Sequence, residues 1–193
     1  MNICVFGASS DRLAPAYYEA AHRLGVLIAR GGCRLIFGGG REGLMGACAR
    51  GVLSEGGRPL GVAPRFFDEP GVLMTGECDF LFTETMAGRK ARMEDEADAF
   101  IALPGGIGTF EELLEVLTLR QLGRHGKPIA LLNTLGYFDA LETMLREASE
   151  KGFMSAEVHG LYALCPDPET AFAHASRSAN GPCAPRPLSS YSR

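Results

Sequence analysis

The stretch ADAFIALPGGIGTFEELLEVLTLRQLG, residues 97–123, decides the fold class. It begins with a continuous apolar run at residues 99–103, passes through a glycine-rich turn, and enters a helical pattern at residues 109–122. An unbroken apolar run is typical of a strand that is buried on both faces of a parallel sheet. A strand, a glycine turn and a helix in direct succession form the repeating unit of an α/β fold.

The same unit recurs along the chain. Further strands are predicted at residues 3–6, 34–37, 60–63, 80–82 and 128–132, and further helices at residues 15–30, 43–54, 85–97 and 137–151. The alternation predicts three layers, with a mainly parallel central sheet and helices on both faces. We expect one domain over residues 1–175 and a flexible tail, rich in proline and serine, over residues 176–193.

The composition excludes several classes of protein. The 193 residues are 46% hydrophobic, and 19 Lys and Arg against 23 Asp and Glu give a net charge of −4. This balance predicts no nucleic-acid partner and no membrane partner. No apolar run approaches the length of a membrane span, and the N-terminal residues do not look like a signal peptide, so we expect a cytoplasmic protein. The six cysteines and four histidines lack metal-ligand spacing, so neither a disulfide scaffold nor a metal site is expected.

Three turns that contain glycine follow predicted strands, at residues 7–10, 38–40 and 105–109. In open α/β sheets, ligands bind outside the carboxyl ends of the strands. The third turn also leads into a helix, whose first N–H groups and positive dipole end attract anions. The three turns therefore predict a binding site for a phosphorylated ligand.

Two of these motifs also have simpler interpretations. Thr109 and Glu112 have the spacing of a capping box, in which they would only close the start of a helix. Gly38, Gly40 and Gly43 match the dinucleotide fingerprint, but they also suit a tight turn that packs a helix closely. Because the next strand ends in Ala63-Pro64, without an acid for the ribose hydroxyls, a nicotinamide-dependent oxidoreductase is disfavoured.

A basic cluster precedes four acids in the helix predicted at residues 85–97. Lys90 and Arg92 have acids four residues later, so pairs with Glu94 and Glu96 are the simple interpretation of these two cations. Arg89 has Met93 at that spacing and is not explained in this way. A guanidinium beside a glycine turn would serve as a bidentate anion clamp.

Together, PGGIGTFEE, GGGREGLMG and Arg89-Lys90 resemble the Lonely Guy (LOG) family of cytokinin riboside 5′-monophosphate phosphoribohydrolases, in which PGGxGTxxE is diagnostic. The similarity runs from about residue 2 to about residue 165. It implies a Rossmann-like fold, at least a homodimer, and a role in cytokinin biosynthesis. The implied reaction is hydrolysis of the N-glycosidic bond of an N6-modified AMP, or of AMP itself, to free base and ribose 5-phosphate. No cofactor is expected.

The resemblance implies catalytic roles for Arg89 and Glu112. With the glycine turns, it gives these candidate substrate-binding positions: Gly7, Ser9, Ser10, Gly39, Gly40, Gly43, Met45, Lys90, Pro104, Gly105, Gly106, Gly108, Thr109, Glu111 and Thr118. Family members often carry a histidine and another polar residue where this chain has Ala87 and Gly88. An acid that the family often uses before that helix has only Glu69 and Glu77 as candidates here. These departures leave recognition of the base open.

The main alternative is a protein of the same fold that binds or carries a phosphorylated cofactor, such as a molybdenum cofactor carrier. Fold cannot separate the two, because function resides in the site. A carrier needs the phosphate turns but has no use for a carboxylate aimed at the ribose. The pair of Arg89 and Glu112 is therefore the feature that discriminates between them.

Overall fold

The computed structural model describes residues 1–177, which form a seven-stranded sheet with the order β4-β3-β2-β1-β5-β6-β7. Every strand pairing in these residues is parallel, as the apolar runs predict. The strands are β1 Asn2–Phe6, β2 Arg34–Phe37, β3 Leu60–Pro64, β4 Asp79–Thr83, β5 Ala99–Ala102, β6 Ile129–Leu132 and β7 Ala163–Cys165.

Helices cover both faces of the sheet, which confirms the three-layer α/β fold. They are α1 Pro15–Arg30, α2 Gly43–Ser54, α3 Met86–Glu96, α4 Ile107–Gln121, α5 Asp139–Glu150 and α6 Pro168–Ala175. One core cluster packs α1, α2 and α6 against the sheet, and a second packs α3, α4 and α5 against it. No helix within residues 1–177 is long and apolar enough to cross a membrane.

The order of the strands reverses at β1 and β5, which pair with each other in the middle of the sheet. Strands β2 to β4 extend the sheet on one side of β1, and β5 to β7 extend it on the other. A ligand site is expected at the carboxyl ends of the strands where the order reverses in this way. The loops after β1 and β5 meet there, because the Ala8 N–H donates to the Pro104 carbonyl at 3.0 Å.

The turn after β2 is fixed to the same edge by a close approach at Gly43. This residue has a φ of +67°, and a Cβ atom on it would lie 2.2 Å from the Ala8 carbonyl oxygen. The next N–H, of Leu44, donates to that oxygen at 2.8 Å. Only glycine fits both the backbone conformation and the space. The predicted convergence of the three glycine turns is therefore present in the fold.

Several boundaries differ from the sequence predictions. Helix α4 begins at Ile107 rather than Thr109, and strand β7 and helix α6 were not predicted at all. With three and eight residues, these two elements are too short to show a clear periodicity. Of the predicted tail, residues 178–193 lie outside the described residues, as does Cys183. The other five cysteines are free thiols.

Candidate active site

A buried ion pair joins α3 to α4 at the carboxyl edge of the sheet. Nη1 of Arg89 donates to Oε1 of Glu112 at 2.6 Å, and the two side chains are only 8% and 11% exposed. The residues are 23 positions apart in the chain, so the fold alone brings them together. The two residues that the resemblance marks as catalytic therefore form one unit.

The backbone of β3 and the turn after β2 position the arginine of this pair. Its Nε donates to the carbonyl of Val62, the middle residue of β3, at 3.1 Å. Its Nη2 lies over Gly38, after β2, where a Cβ atom would come within 2.4 Å of that nitrogen. The absence of a side chain at Gly38 thus makes room for the guanidinium. The sequence signal for this role was the glycine run itself, whereas nothing in the sequence singles out the Val62 carbonyl.

Burial dominates the electrostatics of Glu112. Desolvation raises the pKa of this carboxyl above its ordinary value, although the charge and the hydrogen bond of Arg89 oppose the rise. The nearby charges of Glu111 and Lys90 have smaller effects on this pKa, in opposite directions. A carboxylate in such a site interacts strongly with any cation that develops beside it, because water screens it poorly.

Lys90 is engaged by two acids of α4 rather than by its own helix. Its ammonium binds Glu111, and it forms an ion pair with Glu115 at 2.8 Å. Both carboxylates raise the pKa of Lys90, so this amine stays protonated. The predicted pair of Lys90 with Glu94 is therefore wrong.

The other predicted pair, Arg92 with Glu96, is present at 2.7 Å. Glu115 was missed by the sequence analysis. The available signal was its four-residue spacing from Glu111, which puts both acids on one face of α4.

The turn between β5 and α4 presents open N–H groups. Gly106 is the N-cap of α4, and no side chain caps this 15-residue helix. Thr109 lies in the first turn, 4% exposed, with its hydroxyl packed against Gly105. The capping-box interpretation is therefore wrong, because the helix begins two residues earlier and Glu112 binds Arg89 instead. Uncapped N–H groups at a helix start are a ready site for an anion.

A cavity of about 350 Å³ adjoins this turn on the side of α1. Its lining brings together the loops after β1, β5 and β6 and the first turn of α1, at Ala8, Ser10, Leu13, Tyr17, Pro104, Gly105, Gly106 and Tyr137. Ser9 and Ser10 are exposed in the loop that follows β1, whereas Gly7 is buried against Leu103. Gly108 lies in the first turn of α4, with open space around it.

The remaining candidates of the β2 turn lie under the segment that connects β3 to β4. The Met74 N–H donates to the Gly39 carbonyl at 3.0 Å, and Gly40 forms a bridge with Leu73. Met45, in the first turn of α2, lies with its sulfur close to Gly38. Of the two candidate acids in this segment, Glu77 is paired with Arg41 at 2.8 Å and Glu69 is exposed.

Thr118 is the one candidate that the described chain does not bring to this edge. It lies nine residues beyond Thr109, which is about 13 Å along the axis of α4. Its hydroxyl donates to the Leu114 carbonyl of its own helix. The role of Thr118 rests on the resemblance alone.

Among residues 1–177 there is no group of three or more His, Cys, Asp or Glu side chains that could hold a metal ion.

Fold and site together define a class: a Rossmann-like α/β protein in which a glycine turn and an uncapped helix start lie beside a buried ion pair of an acid and an arginine. Residues 45–175 match the family described as possible lysine decarboxylase. Cytokinin riboside 5′-monophosphate phosphoribohydrolase LOG2 of Arabidopsis thaliana is 42% identical over 167 residues, which cover 86% of this chain and 78% of the relative. LOG7 of the same plant is 43% identical over 167 residues, covering 86% and 76%. The chain belongs to the Lonely Guy family of cytokinin riboside 5′-monophosphate phosphoribohydrolases.

Solved structures share the fold at lower sequence identity. The molybdenum cofactor carrier protein of Chlamydomonas reinhardtii superposes with a TM-score of 0.68 at 24% identity, covering 89% of this chain and 93% of the carrier. The molybdenum cofactor binding protein of Rippkaea orientalis gives 0.65 at 21% identity, covering 89% and 91%. These likenesses show the Rossmann-like architecture and leave the chemistry to the residues of the site.

The lysines of this chain do not suit the decarboxylase in the family's description. Pyridoxal chemistry needs a lysine amine that can form a Schiff base. Lys90 binds two carboxylates, Lys127 donates to the Glu94 carbonyl at 2.6 Å, and Lys151 pairs with Glu147 at 2.6 Å. These are all the lysines of the chain, and each is engaged in an ionic or hydrogen-bonded contact.

Gly38→Ala tests whether the space over this glycine positions the arginine. The new methyl group displaces the guanidinium of Arg89, and a misplacement of about 1 Å costs about 10²-fold in rate. We expect kcat/KM for a nucleoside monophosphate to fall by about that factor, while the free energy of unfolding falls by less than about 2 kcal/mol. Gly160→Ala, where no heavy atom lies within 4 Å, is the matched control and changes neither quantity. Full activity in Gly38→Ala would contradict this role.

Proposed function

We propose that the protein hydrolyses the N-glycosidic bond of a nucleoside 5′-monophosphate, releasing the free base and ribose 5-phosphate. The substrate class is AMP or an N6-modified, cytokinin-type derivative of it. The names of the relatives that are 42% and 43% identical to it over 167 residues support this assignment. The observation that carries it in this chain is the buried pair of Arg89 and Glu112 beside the anion-binding turn.

The phosphate binds at the start of α4 in this proposal. The N–H groups after Gly105 and the positive end of the helix dipole favour a dianion there. Thr109 adds a hydroxyl in the same turn. Anchoring the 5′-phosphate restricts where the ribose can lie, so that C1′ is held near Glu112, one turn further along α4.

Glu112 then acts on the ribose. Cleavage of the bond between C1′ and the base develops positive charge on the sugar ring, as in other glycoside hydrolyses. The carboxylate stabilises this charge and orients a water molecule, from which it accepts a proton as the water attacks C1′ and the bond to the base breaks. That proton then passes to the departing base, so that the free base leaves neutral and Glu112 returns to its ionised form. Oε1 is bound to Arg89, so we assign these contacts to Oε2.

Arg89 has donors to spare for the ligand. A guanidinium carries five N–H groups, and the bonds to Val62 and Glu112 use two of them. We assign Arg89 two roles: it holds the carboxylate in place, and its remaining N–H groups stabilise electron density on the departing base or on the ribose phosphate. A carrier protein gains nothing from either role, which is why the hydrolase is favoured over a carrier of a phosphorylated cofactor.

We further propose that the protein is a homodimer. The family resemblance implies this state. Leu113 and Leu117 of α4 and Leu145 of α5 are buried in the core of the chain itself. Leu114 of α4 and Met144 of α5 remain 41% and 56% exposed.

In sedimentation velocity we expect twice the chain mass at micromolar concentration, and a shift to the mass of one chain in the double variant Leu114→Asp, Met144→Asp. A wild-type protein that sediments as a monomer would refute the dimer.

Glu112→Gln is the direct test of the reaction. The amide keeps the shape of the side chain but loses the charge and the ability to take a proton. We expect release of base from AMP and from an N6-modified AMP to fall by about 10²- to 10⁴-fold, as measured by chromatography of the products. Binding of the nucleotide, measured by calorimetry, is expected to stay within about tenfold.

Glu96→Gln is the matched control for this variant, because it removes the carboxylate of an arginine pair elsewhere on α3. It is expected to retain wild-type turnover. Wild-type turnover in Glu112→Gln would remove this residue from the mechanism. Binding of nucleotides by the wild type without release of base would favour the carrier.

The pH dependence follows from the ionised form that the mechanism needs. Because burial raises the pKa of Glu112, activity is expected to fall on the acid side with an apparent pKa above the ordinary glutamate value of about 4.3. The residual activity of Glu112→Gln is expected to lack this acid limb. A wild-type profile that stays flat down to pH 4 in folded protein would contradict the role of the carboxylate.

A further inference from the structure

The loop after β6 carries a residue that no motif singled out. The hydroxyl of Tyr137 donates a hydrogen bond to the carbonyl of Gly105, 32 positions earlier in the chain. Tyr137 also lines the cavity beside this turn, together with Ser10 and Gly106. It is thus in direct contact with the turn to which the phosphate is assigned, although it belongs to a different element.

The tyrosine ring is held by aromatic neighbours. Phe110 of α4 stacks on it at a centroid distance of 6.3 Å and an interplanar angle of 13°. Phe138 and Tyr17 meet it edge-on, at 5.1 Å and 6.4 Å. A ring fixed by three others presents its hydroxyl in one direction, so the bond to Gly105 is pre-organised.

The backbone just before Tyr137 adopts a strained conformation, as is common where a side chain must be held in one position. Leu135 has a φ of 54° and a ψ of 27°, a left-handed conformation that is unfavourable for a branched side chain. The turn is secured by Asn133, whose side chain accepts from the Phe138 N–H and donates to Asp139, both at 2.7 Å. Backbone strain that the surroundings enforce is concentrated at functional sites.

We infer that Tyr137 is a positioning residue that fixes the phosphate-binding turn. In a planar trans peptide the carbonyl and the following N–H point in opposite directions, so the bond to the Gly105 carbonyl also fixes the Gly106 N–H. Two successive glycines leave this turn free to rotate unless something holds it. Holding the turn before the ligand arrives removes an ordering cost from binding. The inference rests on the proposed function for the identity of the anion, a sugar phosphate.

Tyr137→Phe tests this assignment, because it keeps the ring and its stacking and removes only the hydroxyl. The loss of one hydrogen bond that organises the turn is expected to weaken binding of ribose 5-phosphate by about five- to tenfold, measured by calorimetry. KM for AMP is expected to rise by the same factor, with kcat changed by less than about twofold. Binding of adenosine, which lacks the phosphate, is expected to be unchanged.

Tyr162→Phe is the matched control, since it removes a tyrosine hydrogen bond to Glu142, at 2.5 Å, outside the three glycine turns. It is expected to leave all three ligand measurements at wild-type values. Unchanged affinity of Tyr137→Phe for ribose 5-phosphate would overturn the inference, and so would equal losses for ribose 5-phosphate and adenosine. The binding measurement needs no turnover, so it decides on Tyr137 even if the protein hydrolyses no nucleotide.

Discussion

The contact between Arg89 and Glu112 is the constraint on which the site depends. Two opposite charges are held almost out of water, where the cost of desolvation can exceed the gain from their attraction. Replacing such a pair with apolar residues is often neutral or stabilising, so stability alone gives little reason to keep it. A chemical role explains it better. The pair holds a carboxylate in one orientation, in a poorly screened site, before any substrate is bound.

The fold supplies this pair through close approaches of its backbone. Gly38 leaves room for the guanidinium, the Val62 carbonyl accepts from it, and Gly43 brings the start of α2 against the loop after β1. Gly38 and Gly43 follow the carboxyl end of β2, and Val62 lies in the middle of β3. The topology therefore does more than gather loops at one edge: it supplies the acceptor and the space that hold one arginine. A helix start that is left without a side-chain cap lies beside it.

Much of the architecture could be predicted from local patterns. Continuous apolar runs predicted six of the seven strands that the described residues form, and the glycine turns after them predicted the edge where the three loops meet. The start of α4 was misplaced because Thr109 and Glu112 have a capping spacing, and spacing alone does not reveal that Glu112 is bound by a residue of another helix. Strand β7 was missed because three residues show no periodicity.

The contacts that the sequence could not predict are all long-range. Lys90 binds Glu111 and Glu115 of α4 instead of Glu94 of its own helix. The spacing of residues along a helix predicts only pairs within that helix, whereas contacts between two helices depend on how the helices pack. The Val62 carbonyl accepts from Arg89, and the Tyr137 hydroxyl donates to Gly105. Only the tertiary structure brings these groups together. Even the proposed catalytic pair came from a resemblance between motifs, since a separation of 23 positions leaves no local signal.

The most direct measurement is a crystal structure of the Glu112→Gln protein with AMP bound. We expect the phosphate on the N–H groups between Gly105 and Thr109, with C1′ about 3–3.5 Å from the side chain at position 112, or bridged to it by one water molecule. A nucleotide whose phosphate lies elsewhere, or whose C1′ points away from position 112, would contradict the proposed mechanism.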